Sequence, residues 1–200
     1  MEHYREVLKS KRRVSNLKFQ PLTEIAASCI EEMVTWENDP EIRKLIFPLR
    51  QESSEYVTWT KESLKSRIES AEKSETGFLI LDGEKPIGEM SYRFNFPLLL
   101  NDSAEKTAWI SITIGDKSYW GKGVGKEALN FLETKCFENG AKKIELGVFE
   151  FNKRARDFYQ HMGYQEIGRV PQFVYYNERK WSDIRMEKTS IACTLKNHFN

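Results

Sequence analysis

The stretch Tyr119-Trp120-Gly121-Lys122-Gly123-Val124-Gly125-Lys126 constrains this chain more than any other. Upstream, Ile110, Ile112 and Ile114 alternate as they would along a strand, and downstream 127–139 carries apolar residues at helical spacing. A strand therefore runs into a glycine loop, and the loop opens a helix. Such a loop can turn several backbone N–H groups towards one point, where the helix N-terminus adds partial positive charge, and that combination suits a phosphate. Spacing excludes two common phosphate loops. A Walker loop needs a longer interval between glycines and Ser or Thr after its lysine, but Glu127 follows Lys126. A dinucleotide fingerprint needs glycine at 126, where the chain has Lys126, and a parallel crossover sheet around it.

What remains resembles the pyrophosphate loop of the GNAT superfamily of N-acetyltransferases, Gln/Arg-x-x-Gly-x-Gly/Ala. Gly123-Val124-Gly125 fill its glycine end, and Trp120 stands where Gln or Arg is commoner. A second segment, Asn152-x-x-Ala155-x-x-x-Tyr159-x-x-x-Gly163-Tyr164, is similar to the one that follows the family's fifth strand. The Tyr-Trp-Gly-Lys-Gly form resembles the branch of ribosomal-protein N-terminal acetyltransferases. The resemblance covers roughly residues 15–188 and is strongest over 107–168.

Composition narrows the partners. With 200 residues and 40% apolar content the chain can bury one real core. Lys and Arg (31) nearly balance Asp and Glu (30), which gives no global reason to expect nucleic acid or an anionic membrane as partner. The first 13 residues are charged and lack the apolar segment of a signal peptide, and no apolar run reaches the ~18–20 residues of a membrane span. Cys29, Cys136 and Cys193 are odd in number and lack metal-ligand or redox spacing, so no metal is expected and a reducing cytoplasm fits best.

Along the chain, 1–14 reads as a polar N-terminal arm, 15–188 as one domain and 189–200 as a tail. A strand over 17–22 precedes a helical pattern with Ile25, Cys29, Ile30, Met33 and Val34 on one face. Residues 36–41 break that helix, and Ser53 and Ser54 are placed to cap the next, over 55–73. Strands are expected over 77–81, 87–94 and 107–114, with a hairpin turn at Asp82-Gly83 and a loop over 95–106 whose Leu98-Leu99-Leu100 run suits a second copy of the chain in a homodimer. The helix of 126–139 ends at Gly140, and its Cys136 belongs to the core. A strand over 144–151 leads to a helix capped by Asn152 and stopped by Gly163. Late strands at 165–170 and 180–187 flank an aromatic bend (Phe173, Tyr175, Tyr176). The order βααβββαβαββ is a mixed α/β domain, and the resemblance implies a splayed central sheet.

The resemblance also implies the chemistry. It implies acetyl-CoA as cosubstrate and direct acetyl transfer, without an acyl-enzyme, to a primary amine such as a protein N-terminus or a small-molecule amine. Gly121, Lys122, Gly123, Val124, Gly125 and Lys126, with Trp120 through its backbone N–H, would hold the pyrophosphate. Ile112 and Ile114 would offer backbone groups to the pantetheine, and Asn152 a side-chain hydrogen bond, although Asn152 is equally explained as a helix N-cap. Lys117, Lys122, Lys126, Lys153, Arg154 and Arg156 make a local basic rim. Tyr159 is the expected general acid, since a phenol is protonated at neutral pH. The strand before the loop, Trp-Ile-Ser-Ile-Thr-Ile, has no carboxylate, which leaves Glu89 or Asp183 as base, or ordered water. Glu37, Asp39, Glu41, Glu52 and Glu55 would form an acidic wall for a cationic acceptor, or an ordinary solvated surface. The missing carboxylate also admits a non-catalytic acetyl-CoA-binding module, against which Tyr159 argues.

Overall fold

Strand alternation sorts the apolar residues onto two faces of one sheet. In β2 (Thr76–Asp82), Phe78 and Ile80 point to one face, Leu79 and Leu81 to the other. In β3 (Lys85–Phe94), β4 (Thr107–Ile114) and β5 (Lys143–Phe149), the first face takes Met90, Tyr92, Ile110, Ile144, Leu146 and Val148. Leu129, Leu132 and Cys136 of α4 (Val124–Glu138) and the apolar stripe of α5 (Lys153–His161) cover it. Met33 and Trp36 of α1 (Ala27–Glu37), with Leu64 and Ile68 of α3 (Lys61–Ala71), cover the second face through a separate cluster on Leu79 and Leu81. The computed structural model describes residues 16–71, 74–100 and 106–190; the expected arm at 1–14 and all but the first two residues of the expected tail lie outside them.

With β1 (Leu17–Pro21), β6 (Gln165–Tyr176) and β7 (Arg179–Thr189), the described residues form a seven-stranded sheet of order β1-β2-β3-β4-β5-β7-β6. Every neighbouring pair is antiparallel except β4 and β5. The mixed α/β fold expected from the sequence is present.

Three local readings change. An additional helix, α2 (Pro40–Ile46), follows the break at 36–41: Asp39 accepts from Glu41 N–H at 2.7 Å and Pro40 takes the first helical position. The helix expected from 55 begins only at Lys61, because Tyr56-Val57-Thr58-Trp59 is β-branched and aromatic. Thr60 and Ser63 cap it reciprocally, with Thr60 N donating to Ser63 Oγ at 2.9 Å and Ser63 N to Thr60 Oγ1 at 3.2 Å. The Asn38 amide holds the preceding segment by bonding both Trp59 N and Trp59 O at 2.9 Å. Finally, the aromatic bend lies largely inside β6, whose register shifts between Val170 and Val174. Cys136 is buried, and desolvation pushes its thiol up to about 12, consistent with a core residue.

Beneath α1 and α3 lies an ionic cluster of buried Glu37 with half-buried Arg67 and Glu89. Arg67 Nη2 reaches Glu37 at 3.3 Å and Glu89 at 3.1 Å. Two carboxylates share one guanidinium, and burial together with the Glu89 charge pushes Glu37 up to about 8. A carboxyl whose pKa is raised by folding contributes stability that is complete below its ordinary 4.5 and is lost as the pH rises through about 8. Wild-type Tm should therefore fall between pH 6 and 9, by ~2–4 °C for each kcal/mol lost in a domain of this size. Glu37→Gln, neutral throughout, should flatten that slope in pH-resolved calorimetry. An unchanged slope would show that Glu37 is already ionised at pH 6.

Candidate active site

The sheet opens where its parallel pair fails. β4 and β5 pair only from Thr107–Lys143 to Trp109–Glu145 and then diverge. Gly115 N donates to Ile87 O at 2.9 Å, so strand alternation aims the backbone groups of Ser111 and Thr113 at β3 and those of Ile112 and Ile114 into the gap. On the other rim Glu150 N donates to Ser182 O at 2.9 Å, which by the same alternation turns Gly147 and Phe149 towards the gap. Ile112 thus turns both backbone groups into the gap. Ile114 keeps its N–H there, but its carbonyl accepts from the Trp120 indole at 2.9 Å. A cleft of about 780 Å³ occupies this gap and extends to the glycine loop and to α2.

At one end of the cleft, Gly121 and Gly123 hold φ of +74° and +87°, and Gly123 is the left-handed N-cap of α4. A side chain would be strained in that conformation. The turn uses some of the expected amides itself. Trp120 N donates to Lys117 O, Lys122 N to Tyr119 O and Lys126 N to Gly123 O, at 3.1, 3.3 and 3.0 Å. Those three residues therefore offer no free N–H, which corrects the expectation for Trp120. The N–H groups of Gly121, Gly123, Val124 and Gly125 have no partner among the described residues, and all four residues line the cleft.

The basic rim is also sorted. Lys117 is held by Asp39 and Glu41 at 2.7 Å each, and Lys153 by Asp157 at 2.5 Å. The Lys122 ammonium sits 5.7 Å from the Tyr119 ring centre and is not on the cleft wall. Lys126 and Arg154 do line the cleft. The Arg154 guanidinium lies 3.7 Å from the Trp120 ring centre, and burial lowers its pKa from the ordinary arginine range. A sequence-distant pair of cations and four open amides suit a pyrophosphate, and no described carboxylate faces them.

Tyr159 lines the middle of the cleft from α5. Its ring packs against Phe158 and Tyr164 with centroids at 5.0 and 5.6 Å, and its hydroxyl has no hydrogen-bond partner among the described residues. Burial raises its pKa further above the ordinary phenol value, so it is a neutral donor. Asn152 is the N-cap of α5, accepting from Ala155 N at 3.2 Å, and it also lines the cleft.

Across the sheet from Tyr159 stands Asp183, only 3% exposed. A Cβ on Gly147 would lie 2.6 and 2.9 Å from its carboxylate oxygens and 3.0 Å from Trp109, so glycine is what lets Asp183 close over the rim of the gap. Its Oδ2 accepts from Arg185 Nε at 2.8 Å. Arg185 also donates from Nη1 to Glu145 at 3.2 Å and to Leu98 O at 2.7 Å, and Glu145 accepts from Leu100 N at 2.9 Å. Burial raises the Asp183 pKa, against the pull of Arg185. Among the described residues Asp183 is the only carboxylate on the cleft wall. Glu89, the other candidate base, belongs instead to the Arg67 cluster and does not line the cleft. The proposed acidic wall is not there either: Glu37 is buried, Asp39 and Glu41 pair with Lys117, and neither Glu52 nor Glu55 lines the cleft. Sequence reading passed over Glu145 and Arg185; the signal was Asp183, Arg185 and Glu187 alternating along one late strand.

The family profile described as "Acetyltransferase (GNAT) family" matches residues 31–164. Relatives by sequence include the "Uncharacterized N-acetyltransferase YdgE" of Bacillus subtilis, 29% identical over 122 residues (54% of this chain, 72% of the relative). Another is the "Probable spermine N(1)-acetyltransferase" of B. subtilis subsp. natto, 36% identical over 76 residues (38% of this chain, 50% of the relative). The same fold is seen in the spermidine N-acetyltransferase of Vibrio cholerae in complex with CoA and spermine, with TM-score 0.66 and 19% identity over 87% of this chain and 95% of that one. It is seen equally in the ribosomal-protein-alanine N-acetyltransferase of Brucella melitensis, with TM-score 0.65 and 14% identity over 86% and 99%. The ribosomal-protein branch is thus one neighbour among several.

Gly125 allows a test that separates the loop's fold from its ligand. It is helical, and an added Cβ would meet only Phe158 at 3.6 Å, an ordinary contact. Gly125→Ala should stabilise α4 by ~0.5–1 kcal/mol while narrowing the approach to the open amides. We expect coenzyme A to bind about tenfold more weakly, a loss of ~1.4 kcal/mol, with Tm unchanged or higher. Undiminished affinity in calorimetry would mean that the phosphates dock elsewhere.

Proposed function

The chain belongs to the acetyltransferase (GNAT) family, and from that premise we propose how its cleft carries out the transfer. The protein is an N-acetyltransferase that uses acetyl-CoA and moves the acetyl group to an amine. When bound, acetyl-CoA supplies an activated acetyl thioester. The open amides of Gly121, Gly123, Val124 and Gly125, with Lys126 and Arg154, hold its pyrophosphate. The backbone groups of Ile112 and the N–H of Ile114 take the pantetheine amides as an added strand. Asn152 lines the same cleft, with its side-chain oxygen engaged as the cap of α5.

One observation carries the catalytic assignment: Tyr159 and Asp183 face the same gap from opposite sides of the sheet. Asp183 binds the acceptor ammonium and takes a proton from its nitrogen, either directly or through one water. The neutral amine then forms the C–N bond as the C–S bond breaks, the Tyr159 hydroxyl gives its proton to the leaving sulfur, and the acylated nitrogen releases its remaining extra proton to water. Burial raises both groups, so the phenol stays protonated and the carboxylate becomes a better base than an exposed aspartate. The products are a neutral amide and a free thiol, and both side chains recover their protonation states from solvent. Glu89, held by Arg67 away from the cleft, has no part in these steps.

Tyr159→Phe removes the donor and keeps the ring packing. It should lower kcat by ~10²–10⁴-fold while acetyl-CoA affinity and Tm hold. A drop in Tm with turnover intact would make the hydroxyl a structural group. For Asp183, the raised pKa predicts that kcat/KM for the acceptor falls as pH drops through a value above the ordinary aspartate range. Asp183→Asn should lower kcat/KM and abolish that acid limb, with acetyl-CoA binding retained. Persistence of the limb in the variant would assign it to another group.

A further inference from the structure

The Arg154 guanidinium has little local reason to stay on the cleft wall. Arg154 stands in the first turn of α5, where the positive end of the helix disfavours a cation, and the residue is exposed, so its long side chain could swing into water. What the guanidinium meets is a ring. It lies 3.7 Å from the Trp120 ring centre, well inside the ~6 Å within which a cation is held over an aromatic face. The helix face that carries Arg154 is turned towards the glycine loop. Phe158, one turn further along that face, is the side chain a Cβ on Gly125 would meet at 3.6 Å. Arg154 and Trp120 line the same cleft as the open amides of Gly121, Gly123, Val124 and Gly125.

The ring is itself fixed. Its indole N–H donates to Ile114 O at 2.9 Å, which ties the loop to the last residue of β4. Its body packs against the apolar cluster that contains Met33, Trp36 and Ile42, on the second face of the sheet. The α5 helix covers the first face, so the stack joins the coverings of both faces beside the glycine loop. A guanidinium stacked by its face keeps the N–H groups of its edge free for phosphate oxygens, and it loses less freedom when an anion binds.

We propose that Trp120 is a positioning residue for the cosubstrate: its ring holds Arg154 at the glycine loop, so that the guanidinium is in place before the diphosphate arrives. Trp120 has no donor of its own to give, because its backbone N–H is taken by Lys117 O and its indole N–H by Ile114 O. It acts through Arg154. The inference rests on the reading that Arg154 and the loop amides hold the pyrophosphate.

A double-mutant cycle read by calorimetry tests it, with coenzyme A and with dephospho-coenzyme A, which keeps the diphosphate but lacks the 3′-phosphate. Arg154→Gln should weaken both ligands about tenfold. Trp120→Leu should weaken them about fivefold in the wild-type background and less than about twofold once Arg154 is replaced. Trp120→Phe keeps a ring beneath the guanidinium and should recover most of the loss. The salt dependence of binding should become shallower in Trp120→Leu, as in Arg154→Gln, which a general loosening of the loop would not produce. Equal losses from Trp120→Leu in both backgrounds overturn the proposal, and so does wild-type affinity in that variant. Tm reports whether each variant is folded. If Trp120→Leu does not fold, Arg154→Lys decides, since it keeps the charge without the flat stacking group. It should bind about as weakly as Arg154→Gln, and wild-type affinity overturns the proposal. Wild-type affinity of Arg154→Gln for dephospho-coenzyme A is a distinct result: it overturns the underlying reading of Arg154, and the role of Trp120 with it.

Discussion

Everything functional in this protein depends on a sheet that stops pairing. A parallel pair normally continues for as long as both strands stay extended, because each further residue satisfies backbone groups that would otherwise need water. Here β4 and β5 separate after Trp109 and Glu145, although both remain strands to Ile114 and Phe149. The separation leaves two rims of backbone donors and acceptors facing each other across a cleft. It also places the glycine loop, which follows β4 directly, at one mouth of the opening. Side chains enforce it. Trp109 and Asp183 crowd over Gly147, and the Asp183–Arg185–Glu145 set ties β5, β7 and the loop at Leu98 and Leu100 together behind that rim.

That ionic set is an expensive way to hold a loop. Taking two carboxylates and a guanidinium out of water costs several kcal/mol per ion, and removing one partner of such a set costs ~3–5 kcal/mol more. An apolar cluster of equal volume would be as stable. The ionic set provides what an apolar cluster cannot, a buried carboxylate held in place on the cleft wall. The second set, Glu37–Arg67–Glu89, has similar composition but does not line this cleft. Its effect is on the pH dependence of folding.

Net charge says little about the site. Thirty-one basic and thirty acidic side chains nearly cancel, yet their pairing is uneven. Lys117 and Lys153 are neutralised by carboxylates next to them, and Arg154 and Lys126 remain to face the cleft. Ion pairs on the surface contribute at most about 1 kcal/mol each, but they decide which cations are left for a polyanionic cosubstrate.

The fold and the glycine loop's place between a strand and a helix were legible in the sequence because their signals are local. Alternation at Ile110, Ile112 and Ile114, a glycine loop that opens a helix and Asn152 as a cap are all read within a few residues, and each is realised in the structure. The acceptor end was not legible. Whether Glu89 or Asp183 reaches the cleft depends on the strand order, which brings β7 beside β5 and leaves Glu89 of β3 against Arg67 of α3. The same holds for the acidic residues of 37–41, which by composition suit a cationic ligand but are consumed by Lys117, Arg67 and the cap of α2. Composition gives a charge and periodicity gives a face. Which charges meet is decided by contacts between residues tens of positions apart, and only the packed tertiary structure brings those together.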